Sequence, residues 1–146
     1  MSVWLAIANP YAYDRAMQRA IKEAQRSHCA LHVVFFISRN SMGDMMRQLG
    51  ETGWLLGSAS LRSLQGSMVE GYRSLADDVL NRVKRKASSQ VELIIEGVEE
   101  KPSLEEYVHR LLSSGAIKVI VAGSKSLNLK KEILPSTVEY YEEERS

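Results

Sequence analysis

The sequence predicts an α/β fold, built on an open parallel sheet of four, or at most five, strands with helices on both faces. Short and nearly continuous apolar runs, typical of strands buried on both sides, alternate along the chain with amphipathic helical stripes. Such alternation implies parallel strands joined by right-handed crossovers. The 146 residues, 45% of them hydrophobic and 25% charged, match one globular domain. We therefore treat residues 1–146 as a single domain.

The first half of the chain is predicted to contain a strand, a helix and a second strand. The apolar run Val3 to Ala8 predicts the first strand, and Leu31 to Ile37 predicts the second. Between them, Asp14 is placed as the N-cap of a helix that runs to about Arg26. From residue 38 to about residue 65 the periodicity weakens and four glycines occur, which predicts a mobile insertion. Its methionines and Trp54 are interpreted as a lid or a protein interface.

The second half is predicted to continue with a helix, a strand, a helix, a strand and a final helix. Their predicted ranges, in that order, are Ser67 to Lys86, Val91 to Val98, a helix capped by Ser103 and Glu106, Lys118 to Ala122, and Pro135 to the end. No strand is predicted after Thr137, because only nine residues follow it.

Composition excludes several classes of function. The balance of 19 basic and 18 acidic residues argues against a nucleic-acid or anionic-membrane partner, since such binding needs a basic field over a whole face. The lone Cys29 excludes an internal disulfide and a multi-cysteine metal site, and it suits a reducing compartment. Neither a signal peptide nor a membrane span is apparent, so we predict a cytoplasmic chain that does not insert into a membrane.

The most specific feature follows the predicted fourth strand, in IVAGSKSLNLKKEILPSTVEYY. Gly123, Ser126, Ser136 and Thr137 keep the spacing G-2x-G-9x-G-[ST], with serine at the second and third glycine positions. This stretch resembles the carboxyl-terminal signature of the universal stress protein family. The resemblance implies a Rossmann-like architecture of the adenine nucleotide alpha hydrolase type. In nucleotide-binding members an Asp ends the first strand, and here Asn9 stands in its place.

The resemblance also implies a ligand site between the loops that follow the first and fourth strands. Its ligand would be an adenine nucleotide, ATP or AMP, or another anion, and no metal is predicted. Serine hydroxyls, nearby lysines such as Lys130 and Lys131, and the N-terminus of a helix starting near Ser136 would favour an anion. The candidate ligand-binding residues are Asn9, Pro10, Val34, Gly123, Ser124, Lys125, Ser126, Ser136 and Thr137.

Two functions remain open on the sequence. The first is a non-catalytic regulatory domain of the stress response, because no nucleophile with a base and no metal-binding carboxylate pair can be assembled from the loops. The second is a protein-interaction or dimerisation module that has lost the nucleotide site, including the cytosolic domain of a larger protein such as a transporter. A homodimer is predicted, as is a protein partner bound through residues 38–65. Without a fifth strand, the dimer would need a strand from elsewhere or a different mode of association.

Overall fold

The structure is a computed structural model that describes residues 1–39, 58–123 and 135–142. The predicted lid around Trp54 and the loop Ser124 to Ser126 lie outside the described residues. The described strands are Ser2–Ile7 (β1), Leu31–Ser38 (β2), Leu93–Lys101 (β3), Ala116–Gly123 (β4) and Val138–Glu142 (β5). The described helices are Asp14–Ser27 (α1), Ser58–Ala87 (α2) and Leu104–Ser113 (α3).

The five strands form one parallel sheet in the order β3-β2-β1-β4-β5. This arrangement confirms the predicted fold class. β1 lies at the centre, where Leu5 pairs with Val33 of β2 on one side and with Ile120 of β4 on the other. The strand order reverses between β1 and β4, and in open α/β sheets this reversal marks the place where ligands bind.

The sheet separates two apolar layers. One contains Leu5 and Ile7 and packs against α1 and α2, while the other contains Ala6 and Ala8 and packs against α3. Because helices cover both faces of the sheet, neither face of the central strands contacts solvent. This explains their continuous apolar runs. The largest fully buried side chain in each layer is a phenylalanine of β2, and burial of such a side chain stabilises the fold by roughly 1.5–3 kcal/mol.

The helices match their predicted stripes better than their predicted ends. In α1, Ala16, Met17, Ala20, Ile21 and Ala24 are all buried, as predicted. Asp14, however, is the first helical residue rather than the N-cap, which is Tyr13. The carboxylate of Asp14 pairs instead with Arg82 of α2 at 2.8 Å. In α3, Ser103 is the N-cap, and its hydroxyl accepts a hydrogen bond from the Glu106 amide at 3.4 Å, as the capping box predicted.

Three other boundaries differ from the predictions. α2 begins at Ser58 instead of Ser67, so the last residues of the predicted insertion are helical. β3 spans Leu93–Lys101 rather than Val91 to Val98, and β4 begins at Ala116. Strand pairing, which periodicity does not record, sets the ends of β3 and β4.

The predicted final helix and the predicted absence of a fifth strand are both wrong. β5 pairs along its whole length with β4, from Val119 with Val138 to Gly123 with Glu142. Its side chains alternate between the two layers, with Val138 and Tyr140 on the α3 side. The side chains of this segment alternate between the two faces of the sheet, and the edge of β4 is available for pairing. Together these outweigh the helical propensity of a glutamate-rich segment.

Candidate functional site

The candidate site lies at the carboxyl edge of the sheet, where β1 and β4 diverge. The amide N–H groups of Ala8 and Asn9 both donate to the Ala122 carbonyl, at 2.8 and 3.0 Å. The Asn9 side chain, only 9% exposed, donates from Nδ2 to the Gly123 carbonyl at 3.4 Å. Its Oδ1 accepts from the Tyr11 amide at 3.0 Å, which closes an Asx turn over Pro10. The structure thus brings the predicted residues Asn9, Pro10 and Gly123 together.

Gly123 has a role that the sequence did not predict. A Cβ built on it would lie 2.3 Å from Cε2 of Tyr140, so the tyrosine ring occupies the space that a side chain would fill. Gly123 is not among the residues with positive φ. Glycine is needed here because the Tyr140 ring approaches the backbone closely, on the α3 side of the sheet.

Tyrosines from the loop after β1 and from α2 form a second part of the site, on the opposite face. Tyr11 is 54% exposed and meets Tyr72 edge to face, with ring centroids 6.3 Å apart. Burial, together with the nearby Tyr11, raises the pKa of Tyr72. Beside them Tyr13 is buried beneath the guanidinium of Arg82, which lies 5.3 Å from the ring centroid. This cluster was not predicted from the sequence, although two tyrosines in the loop after a first strand are a usable signal.

The remaining described site residues do not reach this edge. Val34 is fully buried in the middle of β2, on the α3 side. Ser136 and Thr137 precede β5, where the Thr137 carbonyl accepts from the Val119 amide at 2.9 Å and the Ser136 carbonyl accepts from Lys118 at 3.4 Å. Gly123 pairs with Glu142, the last residue of β5, whereas Thr137 immediately precedes the first. The length of β5, roughly 15 Å, therefore separates Gly123 from Thr137 along the strand direction. The structure therefore places Ser136 and Thr137 toward the amino edge of the sheet.

Glu139 anchors β5 and so positions Tyr140. Its carboxylate accepts two hydrogen bonds from Arg19 of α1, both at 2.9 Å, one from Tyr141 at 2.9 Å, and pairs with Lys118 at 2.9 Å. Burial tends to raise the pKa of Glu139, but the hydrogen bonds from Arg19, Lys118 and Tyr141 outweigh it and lower the pKa to about 2. Because β5 side chains alternate, this anchor on the α1 side holds the Tyr140 ring against Gly123 on the other side.

Among residues 1–39, 58–123 and 135–142, no group of three or more His, Cys, Asp or Glu side chains could hold a metal ion. Within the same ranges, no helix combines the length and apolarity that a membrane crossing requires.

Comparisons with known proteins identify the fold. No sequence model of a protein family matches the chain, and no curated protein does either. Among solved structures, it is similar to a protein from the universal stress protein family from Burkholderia pseudomallei, with a TM-score of 0.56 and 16% identity. The match covers 96% of this chain and 94% of that one. The chain therefore has the fold of the universal stress protein family.

Proposed function

We propose that this chain is a non-catalytic regulatory domain that binds an adenine nucleotide, ATP or AMP, at the carboxyl edge of its sheet. The observation that carries the proposal is the Asn9 side chain, which bridges β1 to β4 at the reversal of strand order and holds the adjacent Tyr11 in an exposed position. Ligands of open α/β sheets bind at this reversal.

The aromatic pair supplies a surface for a nucleobase. Tyr11 is exposed while its edge-to-face contact with the half-buried Tyr72 restrains the ring. Stacking of a base on an aromatic side chain is worth about 1–3 kcal/mol. Asn9 acts here as a positioning residue, because its hydrogen bond to the Tyr11 amide fixes the turn that presents the ring.

The phosphates would be held by side chains rather than by a glycine cradle. Tyr140 fills the space beside Gly123 on the α3 side, whereas Tyr72 packs in the layer on the α1 and α2 side. A nucleotide stacked on Tyr11 would approach from the α1 and α2 side of the sheet, so it would not meet the Tyr140 ring. Lys125 follows Gly123 by two residues in the sequence and would supply the positive charge for an anion.

A thermal shift assay with ATP, AMP and inorganic phosphate tests this proposal. A ligand that binds only the folded state raises the melting temperature. We expect ATP and AMP to stabilise the wild type, Tyr11→Phe to retain the shift, and Tyr11→Ala to weaken nucleotide affinity about 5- to 150-fold, as the loss of one stacked base implies. Ile94→Ala, at an exposed residue of the edge strand β3, is the matched control and should bind like the wild type.

Three results would contradict the proposal. One is the absence of a shift with either nucleotide, and another is an equal loss of affinity in Tyr11→Ala and Ile94→Ala. A shift with phosphate that equals the shift with AMP would show an anion site without recognition of the base.

The second candidate function is an interaction or dimerisation module without a nucleotide site. The observation that favours it is the Tyr140 ring, which covers the Gly123 backbone where the resemblance implies approach by a phosphate. In that case no nucleotide shifts the melting temperature, and sedimentation equilibrium finds a dimer whose dissociation constant is unchanged by ATP.

A further inference from the structure

A surface cleft of about 250 Å³ lies between α1, from Met17 to Gln25, and the carboxyl end of α2. Met17 and Ile21 close its floor, and their side chains are only 2% and 5% exposed. Lys22 of α1 and Lys86 of α2 line its rim, and both are exposed. The cleft is separate from the candidate nucleotide site, since Asn9 precedes the other end of α1.

The charge around this cleft is positive. No acidic side chain lines it, and in the part of the chain that the structure describes neither Lys22 nor Lys86 forms an ion pair. The buried Glu23 of α1 is already paired with both Arg19 and Arg26. Its negative charge therefore does not compensate the two lysines.

Glutamines hold the walls of the cleft in place. Gln25 of α1 donates from Nε2 to the Gln90 carbonyl at 3.4 Å, and Gln90 donates from its own Nε2 to the Lys86 carbonyl at 2.7 Å. The Gln90 amide also donates to the Ala87 carbonyl at 2.9 Å. The first bond links α1 to the turn after α2, and the other two close that turn onto the end of α2, so one end of the cleft is formed before any ligand arrives. Preformed concave sites with an apolar lining and a few polar groups are typical of small-molecule binding.

We propose that this cleft binds a small organic anion, a carboxylate carried on a short apolar body. The apolar body would lie over the floor formed by Met17 and Ile21 and against the alkyl stems of Lys22 and Lys86, and the carboxylate would lie between the two ammonium groups. A volume of about 250 Å³ is just below the roughly 300–1,000 Å³ of typical ligand pockets, which suits a ligand much smaller than a nucleotide. Lysine suits this position because its alkyl stem extends the apolar wall while its charged end stays at the rim.

Hexanoate, with its uncharged analogue hexanamide, is the probe for this site. In ¹H–¹⁵N NMR titrations, hexanoate should cause saturable shifts of the Gln25 and Gln90 side-chain amides and of the Lys22 and Lys86 backbone amides. Hexanamide should bind more weakly. Replacing both lysines, Lys22→Gln with Lys86→Gln, should weaken hexanoate binding about two- to thirtyfold, because each partly exposed ion pair is worth about 0.2–1 kcal/mol.

The matched control is Lys84→Gln with Arg85→Gln, which removes two charges from the same helix end outside the cleft lining. It should leave hexanoate affinity unchanged. Equal weakening by the two double variants would overturn the proposal, because it would indicate attraction by charge alone. Equal binding of hexanamide, or no saturation by hexanoate at concentrations on the order of 10 mM, would also overturn it.

Discussion

Glu139→Gln should destabilise the fold by about 2 kcal/mol at neutral pH, because it removes the acceptor that ties β5 to α1 and β4. The carboxylate has three partners within 2.9 Å, namely Arg19, Lys118 and Tyr141. Glutamine keeps the size of the side chain but carries no negative charge. The variant therefore tests the electrostatic part of the anchor without creating a cavity.

The magnitude follows from the pKa of Glu139. Its value falls from the ordinary 4.5 to about 2 in the folded protein, and each pKa unit corresponds to about 1.36 kcal/mol, which gives an upper limit of about 3 kcal/mol. The side chain is 24% exposed, so solvent screening reduces this figure to the expected 2 kcal/mol. Since the pKa is lowered on folding, this stabilisation is complete above about pH 5 and is lost as the pH falls from about 4.5 towards 2.

Urea unfolding of the wild type and of Glu139→Gln at pH 7, pH 4 and pH 3 measures both effects. The difference in the free energy of unfolding should be largest at pH 7 and shrink at each lower pH. Glu99→Gln is the matched control on the edge strand β3, where the carboxylate is 38% exposed and lies 3.8 Å from Lys101. Its effect should stay below about 0.5 kcal/mol at every pH. A loss at Glu139 no larger than that at Glu99, or one that does not change with pH, would refute the reasoning.

Two further variants test the contacts of β5 and α3. Gly123→Ala should cost about 1–3 kcal/mol in urea unfolding, since the new Cβ would lie 2.3 Å from the Tyr140 ring, and the cost should fall when Tyr140→Ala is also present. Gly66→Ala is its control: Gly66 is an exposed residue of α2 with nothing within 4 Å of the added Cβ, and the change should stabilise by about 0.5–1 kcal/mol. Ser103→Ala should cost about 1 kcal/mol by thermal unfolding, because it removes the cap of the Glu106 amide, and an unchanged melting temperature would contradict this role for the hydroxyl.

The parts of the fold that the sequence predicted correctly are those in which burial alone determines the pattern. β1 and β2 carry residues such as Leu5 and Val33 that are fully buried, and α1 presents one narrow apolar face to the sheet. Local periodicity records both situations. The start of α2 was missed because Gly66 and the glycines before it lower helix propensity, although the backbone is helical from Ser58.

β5 was missed because its stability comes from contacts that are distant in sequence. Val138 pairs with Val119, and Glu139 finds Arg19 of α1 across 120 residues. A glutamate-rich segment resembles an exposed helix until those partners are known. The predicted grouping of Ser136 with Gly123 followed the motif spacing and assumed a helix starting near Ser136. Because β5 forms there instead and pairs with β4, the structure places the two residues at different levels of the sheet.

At Gly123 the structure shows a packing role that differs from the ligand-binding role predicted from the sequence. The sequence predicts that Gly123 leaves room for a phosphate beside the backbone. In the structure the Tyr140 ring fills that space, and the contacts of Glu139 on the opposite face of β5 hold the ring there. A ligand that needed the Gly123 backbone on the α3 side would have to displace the ring and strain the pairing of β5 with β4. A ligand that stacks on Tyr11 meets no such cost, because Tyr11 contacts Tyr72 on the other side of the sheet. The nucleotide site proposed for this chain is therefore best sought on the α1 and α2 side of the carboxyl edge.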